Sequence, residues 1–281
     1  MNNYDPIRIA RKSSDLTVLI ITIIIALLFF VFLADQRIQL FYIGMVLMLV
    51  ILFYIRLYQI SFLAGALRVQ NSRHAYMAKM VAEISVNLKM PYVDVFITQD
   101  PYLNAFALGY THPFTIVLHS ATVDGLTEAE VRAVLVHEMG HIKYKHTMIS
   151  AYLTPFTQLI PFIGPFSSWL FGFWSRRSEL TADRLALAYT RDPHTVAMAL
   201  IKVHVGANYA QYMEEQGVLY QEHISHGTMR KLAQSLQGHP FLVTRIQEIL
   251  KYSQVFGINN PQLPPQHPQT TQQQVNSAAL N

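Results

Sequence analysis

The chain has 281 residues, of which 52% are hydrophobic and only 14% are charged, and it contains no cysteine. Because a soluble domain usually carries about a quarter charged residues, this composition argues against both a purely soluble enzyme and a mainly disordered chain. The lack of cysteine excludes a disulfide scaffold, a thiolate zinc site, an iron–sulfur protein and a cysteine nucleophile. The net charge is +4, but the basic residues form no run or aromatic-interleaved patch, so no nucleic acid is expected as a partner.

Two long uncharged runs open the chain, at residues 16–33 and 38–55. Each is long enough to cross a bilayer as a helix, whereas the core helices of soluble proteins are normally amphipathic. A cleavable signal peptide is disfavoured, because Phe32 stands where cleavage after Ala34 would require a small residue. We therefore predict two transmembrane helices that form a hairpin within residues 1–60.

The charges around these runs predict the orientation of the hairpin. Basic residues precede the first run and follow the second, whereas the connecting turn carries only Arg37 beside Asp35. By the positive-inside rule, the N terminus and everything after residue 55 should face the cytoplasm. The sequence thus predicts a multi-pass integral membrane protein, for which the lipid bilayer is a partner.

A mixed domain is predicted over residues 61–257. The expected strands are 92–98, 104–110 and 114–118, and the expected helices are 56–70, 74–88, 127–145, 192–205, 207–221 and 240–255. Thr127 starts its helix with a capping-box pattern, and Asp192 with Pro193 is typical of a helix start. The last segment, 258–281, is rich in Pro, Gln and Asn and is predicted to be a disordered tail.

A metal-binding pattern lies on the helix predicted from Thr127. His137 and His141 in the sequence HEMGH are one helical turn apart, so both imidazoles lie on one face and can bind the same metal ion. Glu138 lies beside them, where it could take a proton from a water on the metal. Such a pentapeptide also occurs in proteins without a metal, and a catalytic zinc site needs a third protein ligand and an open position.

Glu179 and Asp183 supply a candidate for that third ligand. They are again one helical turn apart, at the predicted start of a helix, and therefore lie on one face. Glu179 would complete a His-His-Glu set, and Asp183 could accept the other ring N–H of His137 or His141 and fix its tautomer. Acidic residues also favour a helix start because of the helix dipole alone, so the pair is informative only together with the HEMGH motif.

Taken in order, these motifs resemble one family of enzymes. The HEMGH motif followed by His146, and then Glu179 with Asp183, resembles the membrane zinc endopeptidases grouped around the heat-shock protease HtpX and the type I CAAX prenyl protease. The resemblance covers residues 66–250 and is closest to HtpX, because the prenyl-protease branch is expected to have more transmembrane helices than this chain can supply. It implies one Zn²⁺ per chain, bound by the two motif histidines and Glu179; a ligand set that includes His146 is the alternative.

Two further segments carry the same resemblance. Asn104, Ala105 and Phe106 begin a segment similar to the NAFA segment of the family, which in the wider gluzincin class is an edge strand that pairs with the substrate backbone. His239 and Arg245 match the family's late His-Pro…Arg signature. The resemblance implies that both lie near the site, where they could stabilise the tetrahedral oxyanion.

A third uncharged stretch, 147–175, separates the two metal motifs. Pro155, Pro161 and Pro165 should break any helix in it. If both motifs bind one ion, the two ends of the stretch lie on the same side of a membrane, and the stretch is too short to cross twice. We expect a re-entrant or interface-lying hairpin or, as an alternative, a hairpin that caps the protease domain.

The resemblance implies a fold and an activity. The fold is a mainly α-helical protease domain of the zincin α+β type with a small β-sheet, attached to the N-terminal transmembrane hairpin. The activity is zinc-dependent hydrolysis of peptide bonds in misfolded or membrane proteins, at the cytoplasmic face of a bacterial inner membrane. A narrow processing peptidase for a lipidated or membrane-inserted substrate is the alternative, and a catalytically silent scaffold is disfavoured because the general base Glu138 is present.

Overall fold

The computed structural model describes residues 6–36, 38–158, 164–210, 212 and 240–258. Three helices come first, α1 (Pro6–Ile9), α2 (Ser13–Gln36) and α3 (Ile38–Ala64). The strands are β1 (Leu67–Arg68), β2 (Asp94–Thr98), β3 (Ala105–Leu108) and β4 (Thr115–His119). The other helices are α4 (Ala75–Leu88), α5 (Ser120–Gly125), α6 (Glu128–Lys143), α7 (His146–Gln158), α8 (Gly164–Thr190), α9 (Pro193–Val205), α10 (Ala207–Ala210) and α11 (Leu242–Val255). The protein is thus mainly helical with one small sheet, as predicted.

The described sheet places β3 at an outer edge. The strand order is β1-β2-β4-β3, with β2 parallel to β4 and each outer strand antiparallel to its neighbour. The three predicted strands are confirmed, and their ends differ from the predicted ones by at most two residues. The predicted end of the helix over 56–70 is wrong, because α3 stops at Ala64. The chain then forms β1, where backbone pairing with β2 replaces helical hydrogen bonds.

Helix α6 begins where the sequence predicts and for the predicted reason. The Thr127 hydroxyl accepts a hydrogen bond from the Glu130 N–H, and the Glu130 carboxylate accepts one from the Thr127 N–H at 2.7 Å. This capping box satisfies two donors of the first turn and fixes its position. Leu135 and Met139 are fully buried in the main core, so the adjacent face of α6 presents the HEMGH histidines to a cleft.

The described parts of the third uncharged stretch, 147–158 and 164–175, are helical, and two of the three prolines lie inside these helices. Pro155 lies inside α7, which continues beyond it at the cost of one backbone hydrogen bond. Pro165 lies in the first turn of α8, where its missing N–H has no helical partner to lose. Pro161 lies outside the described residues, as does most of the helix predicted over 207–221. The helix that carries Glu179 therefore begins at Gly164, and the predicted helix start near Glu179 is wrong.

Tertiary contacts with the N-terminal segment explain why α8 continues through the apolar stretch. Phe171 and Trp174 of α8 pack against Leu19 of α2. Further along α8, the fully buried Arg184 donates a hydrogen bond to the Asp15 carboxylate at the start of α2. Its other acceptors are the Ala10 carbonyl, the Glu248 carboxylate and the Thr181 hydroxyl. A buried guanidinium needs such partners, so the first turn of α2 is joined to the helix that carries the acidic metal motif.

Helices α2 and α3 pack against each other as a hairpin. Among the described residues, one helical segment, Tyr42–Ala64, is long and apolar enough to cross a bilayer, and a shorter apolar segment, Ser13–Ile25, lies within α2. Apolar side chains on both helices are exposed, including Val31 at 65% and Phe53 at 65%. Exposed apolar surface of this kind is typical of contact with lipid or with another protein.

Candidate metal centre

Helices α6 and α8 bring the three predicted ligands to one point. The Nε2 atoms of His137 and His141 lie 3.1 Å apart, and the nearest Glu179 oxygens lie 3.6 Å from Nε2 of His137 and 3.5 Å from Nε2 of His141. Ligand atoms on a tetrahedral zinc with bonds of about 2.0–2.1 Å are roughly 3.3 Å apart. Two imidazole nitrogens and one carboxylate oxygen at this spacing therefore fit Zn²⁺ with one open position.

Each of these histidines also has a partner for its other ring nitrogen. Nδ1 of His137 lies 3.0 Å from Oδ1 of Asp183, and Nδ1 of His141 lies 3.1 Å from Nδ1 of His146. The sequence leaves open which histidine Asp183 faces, and the structure places it at His137. Because His146 meets His141 from behind and is not among the three residues whose ligand atoms converge, the ligand set that includes His146 is not supported.

Arg245 of α11 is buried against two carboxylates of the site. Its Nε and Nη2 atoms donate hydrogen bonds to the two oxygens of Asp183 at 2.8 and 2.7 Å, and Nη1 lies 3.2 Å from Oε2 of Glu179. The guanidinium thus holds both carboxylates in the orientation that faces the histidines. Its expected contact with an oxyanion stays a prediction, and His239 lies outside the described residues.

Burial and charge shift the pKa values at the site in different directions. Burial opposes the charged form of His137, but the nearby carboxylates of Asp183 and Glu179 outweigh burial and raise the pKa of His137 to about 10. Burial lowers the pKa of His141 to about 4 and raises the pKa of Glu138 to about 7. A bound cation would favour the deprotonated form of all these groups. A buried carboxylate whose pKa lies near neutrality suits proton transfer at physiological pH.

Gly140 of the HEMGH motif lets α6 and α8 approach each other closely. A Cβ atom at this position would lie 3.2 Å from Cδ2 of Leu185 and 3.3 Å from Cα of Ala182, both on α8. Ala182 lies between Glu179 and Asp183, so this contact sets the distance from the histidines to the carboxylates. The sequence pattern marks the ligands and the base, and nothing in it singles out Gly140 for this role.

We expect Gly140→Ala to lower the free energy of unfolding by about 1–3 kcal/mol, although alanine favours a helix over glycine by about 1 kcal/mol. The backbone of Ala182 cannot yield as a side-chain end could, so α8 must shift and zinc affinity should fall. Denaturant unfolding in detergent and competition with a zinc chelator measure the two effects. Gly65→Ala is the control, because a Cβ there meets nothing nearer than 3.7 Å. A Gly140→Ala protein that matches this control in both measurements would contradict the packing argument.

Strand β3 offers part of its backbone to the cleft beside α6. The His119 N–H donates to the Asn104 carbonyl at 3.0 Å. With the antiparallel register of β3 and β4, this pairing directs the backbone groups of Phe106 to β4 and those of Ala105 and Ala107 to the open edge. The sequence predicts Asn104, Ala105 and Phe106 as substrate contacts, and the geometry adds Ala107 as a backbone position.

The side chains of this segment have other contacts. The ring of Phe106 lies 5.9 Å from that of Phe62 on α3 and 5.9 Å from that of His119. The side-chain oxygen of Asn104 accepts a hydrogen bond from the Ala105 N–H at 2.9 Å. Asn104 and Phe106 therefore shape and support the strand, while the alanines leave room for a second strand beside it.

A cavity of about 690 Å³ adjoins β3 and contains the three ligand residues and Glu138. Helix α9 lines it with the apolar side chains of Val196, Leu200 and Val203, and α7 and α8 line it with small polar residues, among them Thr147, Ser150, Ser175 and Ser178. His204 also lies in this lining, with Nδ1 2.8 Å from the Leu200 carbonyl. The sequence indicates only a core or surface histidine there, because no spacing pattern relates His204 to the metal motifs.

A converging His-His-Glu cluster on a mainly helical fold is the arrangement typical of zinc metallopeptidases. Residues 67–253 match the family model for Peptidase family M48. Because this match covers more than half of the chain, the chain belongs to Peptidase family M48.

Named relatives agree with this assignment and with the resemblance to HtpX. The "Plastoglobule-localized metallopeptidase 48, chloroplastic" of Arabidopsis thaliana is 34% identical over 194 residues, which are 61% of this chain and 54% of that protein. A "Protease HtpX homolog" of Helicobacter acinonychis is 21% identical over 164 residues, which are 58% of this chain and 52% of that protein. The chain thus spans about half the length of the curated relatives it matches. The crystal structure of S. mikatae Ste24p shares the fold with a TM-score of 0.52 and 15% identity, covering 85% of this chain and 66% of that one.

Proposed function

We propose that this chain is a membrane-anchored, zinc-dependent endopeptidase. The observation that carries the proposal is the convergence of His137, His141 and Glu179 at one point beside the open edge of β3. Imidazole nitrogens and a carboxylate oxygen are common zinc ligands, and three protein ligands with an open fourth position are typical of catalytic zinc. Membership of Peptidase family M48 supports peptide-bond hydrolysis as the reaction.

Different residues of the site have different roles in the proposed hydrolysis: metal binding, proton transfer and orientation of a ligand. Zn²⁺ held by His137, His141 and Glu179 would supply Lewis-acid chemistry for the scissile carbonyl and the attacking water. Glu138 takes the proton of that water and passes it to the leaving amine. Asp183 faces Nδ1 of His137 and so keeps the Nε2 lone pair directed at the metal position.

Substrate binding relies on backbone pairing with β3. An extended peptide beside this strand would pair with the outward N–H and C=O groups around Ala105 and Ala107, as in other cases of strand addition. Such pairing reads the backbone and not the side chains, so it accepts many sequences. Unfolded or misfolded segments, which expose an extended backbone, are therefore the proposed substrates.

Membrane anchoring belongs to the same proposal. The apolar segment Tyr42–Ala64 passes beside the cleft, since Ile55 within it lines the cavity. Arg56 on the same helix donates a hydrogen bond to the His112 carbonyl in the β3–β4 connection at 3.2 Å. These contacts support a cleft close to a bilayer surface, and the flanking basic residues support the cytoplasmic face of a bacterial inner membrane. Membrane proteins are accordingly proposed as a second class of substrate.

Removal of the metal should abolish cleavage, and Zn²⁺ should restore it. The full chain, purified in detergent, is treated with a chelator and then titrated with Zn²⁺ while an unfolded reporter protein is digested. We expect activity to return at about one Zn²⁺ per chain, with internal bonds cleaved in the mass spectrum of the products. Cleavage of a lipidated peptide but not of the reporter would select the narrow processing peptidase. A zinc-loaded chain that cleaves neither substrate would contradict the endopeptidase and favour the scaffold.

A further inference from the structure

His146 lies behind the metal site, in contact with one of its proposed ligands. Its Nδ1 atom is 3.1 Å from Nδ1 of His141. The residue is only 6% exposed, and its ring packs edge-on against that of Trp174 with 5.7 Å between centroids. Lys145, just before it, has a φ of 63° in the left-handed region, which turns the chain sharply after α6 and brings His146 back over His141. The mechanism above uses His146 neither as a ligand nor as a base.

Only one arrangement of protons lets this contact coexist with a metal ion on Nε2 of His141. A neutral imidazole that binds metal through Nε2 carries its proton on Nδ1. The Nδ1–H of His141 must then donate to Nδ1 of His146, which accepts with its lone pair. The proton of neutral His146 accordingly lies on Nε2. The two rings are thus held as complementary tautomers.

We infer that His146 is a positioning residue, which fixes the tautomer and the ring orientation of His141 for zinc binding. The inference rests on the proposed function, because it concerns a ligand of the proposed zinc site. It also accounts for an asymmetry: a carboxylate faces the other histidine, His137, whereas a neutral ring faces His141. The site already contains three buried carboxylates, and an imidazole supplies an acceptor without adding a fourth negative charge.

Zinc affinity, measured by competition with a chelator on the full chain in detergent, tests the inference without reference to catalysis. His146→Leu removes the acceptor, and we expect zinc affinity to fall about 10–100-fold, as for other changes behind metal-binding histidines. His146→Asn places an amide oxygen near the position of Nδ1 and should recover most of the loss. His74→Leu, at the start of α4 and away from the site, is the control and should bind zinc like the native chain.

The outcomes separate positioning from packing. Native affinity in His146→Leu, or an equal loss in the Leu and Asn variants, would overturn the inference. Nitrogen-15 spectra of the zinc-loaded native chain give a second measurement: His141 should carry its proton on Nδ1 and His146 on Nε2, and a proton on Nδ1 of His146 would overturn the inference. A native chain that binds no zinc would contradict the proposed function as well, whereas a failure confined to the His146 variants would leave that function intact.

Discussion

Glu138→Gln should lower the rate of peptide cleavage by about 10²–10⁴-fold while the zinc content stays unchanged. Glu138 is only 7% exposed and lies beside His137, in the cavity that adjoins β3. Glutamine keeps the size of the side chain, but it cannot take a proton from water. Because proton transfer occurs only on the way to the transition state, kcat should fall while KM changes little. Digestion kinetics on an unfolded reporter and metal analysis of the same samples measure both effects.

Glu128→Gln is the matched control for this experiment. Glu128 lies on the same helix but is exposed in its first turn, so its variant should keep nearly native activity. Full activity of Glu138→Gln would exclude Glu138 as the general base, and the proposed mechanism with it. Loss of zinc together with activity would instead assign Glu138 to the structure of the metal site.

The parts of the fold that have local causes could be predicted from the sequence. The start of α6 follows from the side chain of Thr127, and the alternation of residues 92–98 is enough to predict β2. The spacing of His137 and His141 puts both rings on one helix face whatever surrounds the helix. The first two proposed ligands and the proposed base could therefore be identified without knowledge of the tertiary structure.

The surroundings of Glu179 could not be predicted in the same way. The prolines of the uncharged stretch indicate breaks, yet α8 begins at Gly164 and continues through the acidic motif. That helix is stabilised by contacts with a segment far away in the chain, Trp174 against Leu19 and Arg184 against Asp15. Local composition does not indicate such contacts, so the sequence predicted Glu179 as a ligand but did not predict that its helix begins at Gly164.

The partners of the ligands also depend on packing between helices that are distant in sequence. Spacing places Asp183 on the face of Glu179, but only the crossing of α6 and α8 decides that it meets His137 and not His141. The family resemblance places Arg245 near the site without saying what it touches. Its contact with the two carboxylates is set by the docking of α11 against α8.

Replacing Arg245 with methionine should lower the free energy of unfolding by about 3–5 kcal/mol, the usual effect of removing one partner from a buried ion pair. Arg245 is 6% exposed and makes two hydrogen bonds to Asp183 and an ion pair to Glu179. Methionine fills part of the same volume without charge, so two carboxylates stay buried close together without their cation. Glu179 should then leave the position that faces the histidines, and zinc affinity and activity should fall with stability.

Two further variants are compared with Arg245→Met: a surface control, and a variant that keeps the charge of Arg245 but not its hydrogen-bond geometry. Arg132→Met is the control, since Arg132 pairs with Glu83 at the surface with 31% of its side chain exposed, and such pairs contribute about 0–1 kcal/mol. Arg245→Lys keeps the charge but cannot make two parallel bonds to Asp183, so its stability should lie between that of the native chain and that of Arg245→Met. Denaturant unfolding in detergent, with excess Zn²⁺ and again with a chelator, gives the values. If Arg245→Met and Arg132→Met unfold at the same denaturant concentration, the buried carboxylates do not depend on this guanidinium, and their charge must be balanced by the metal and the histidines alone.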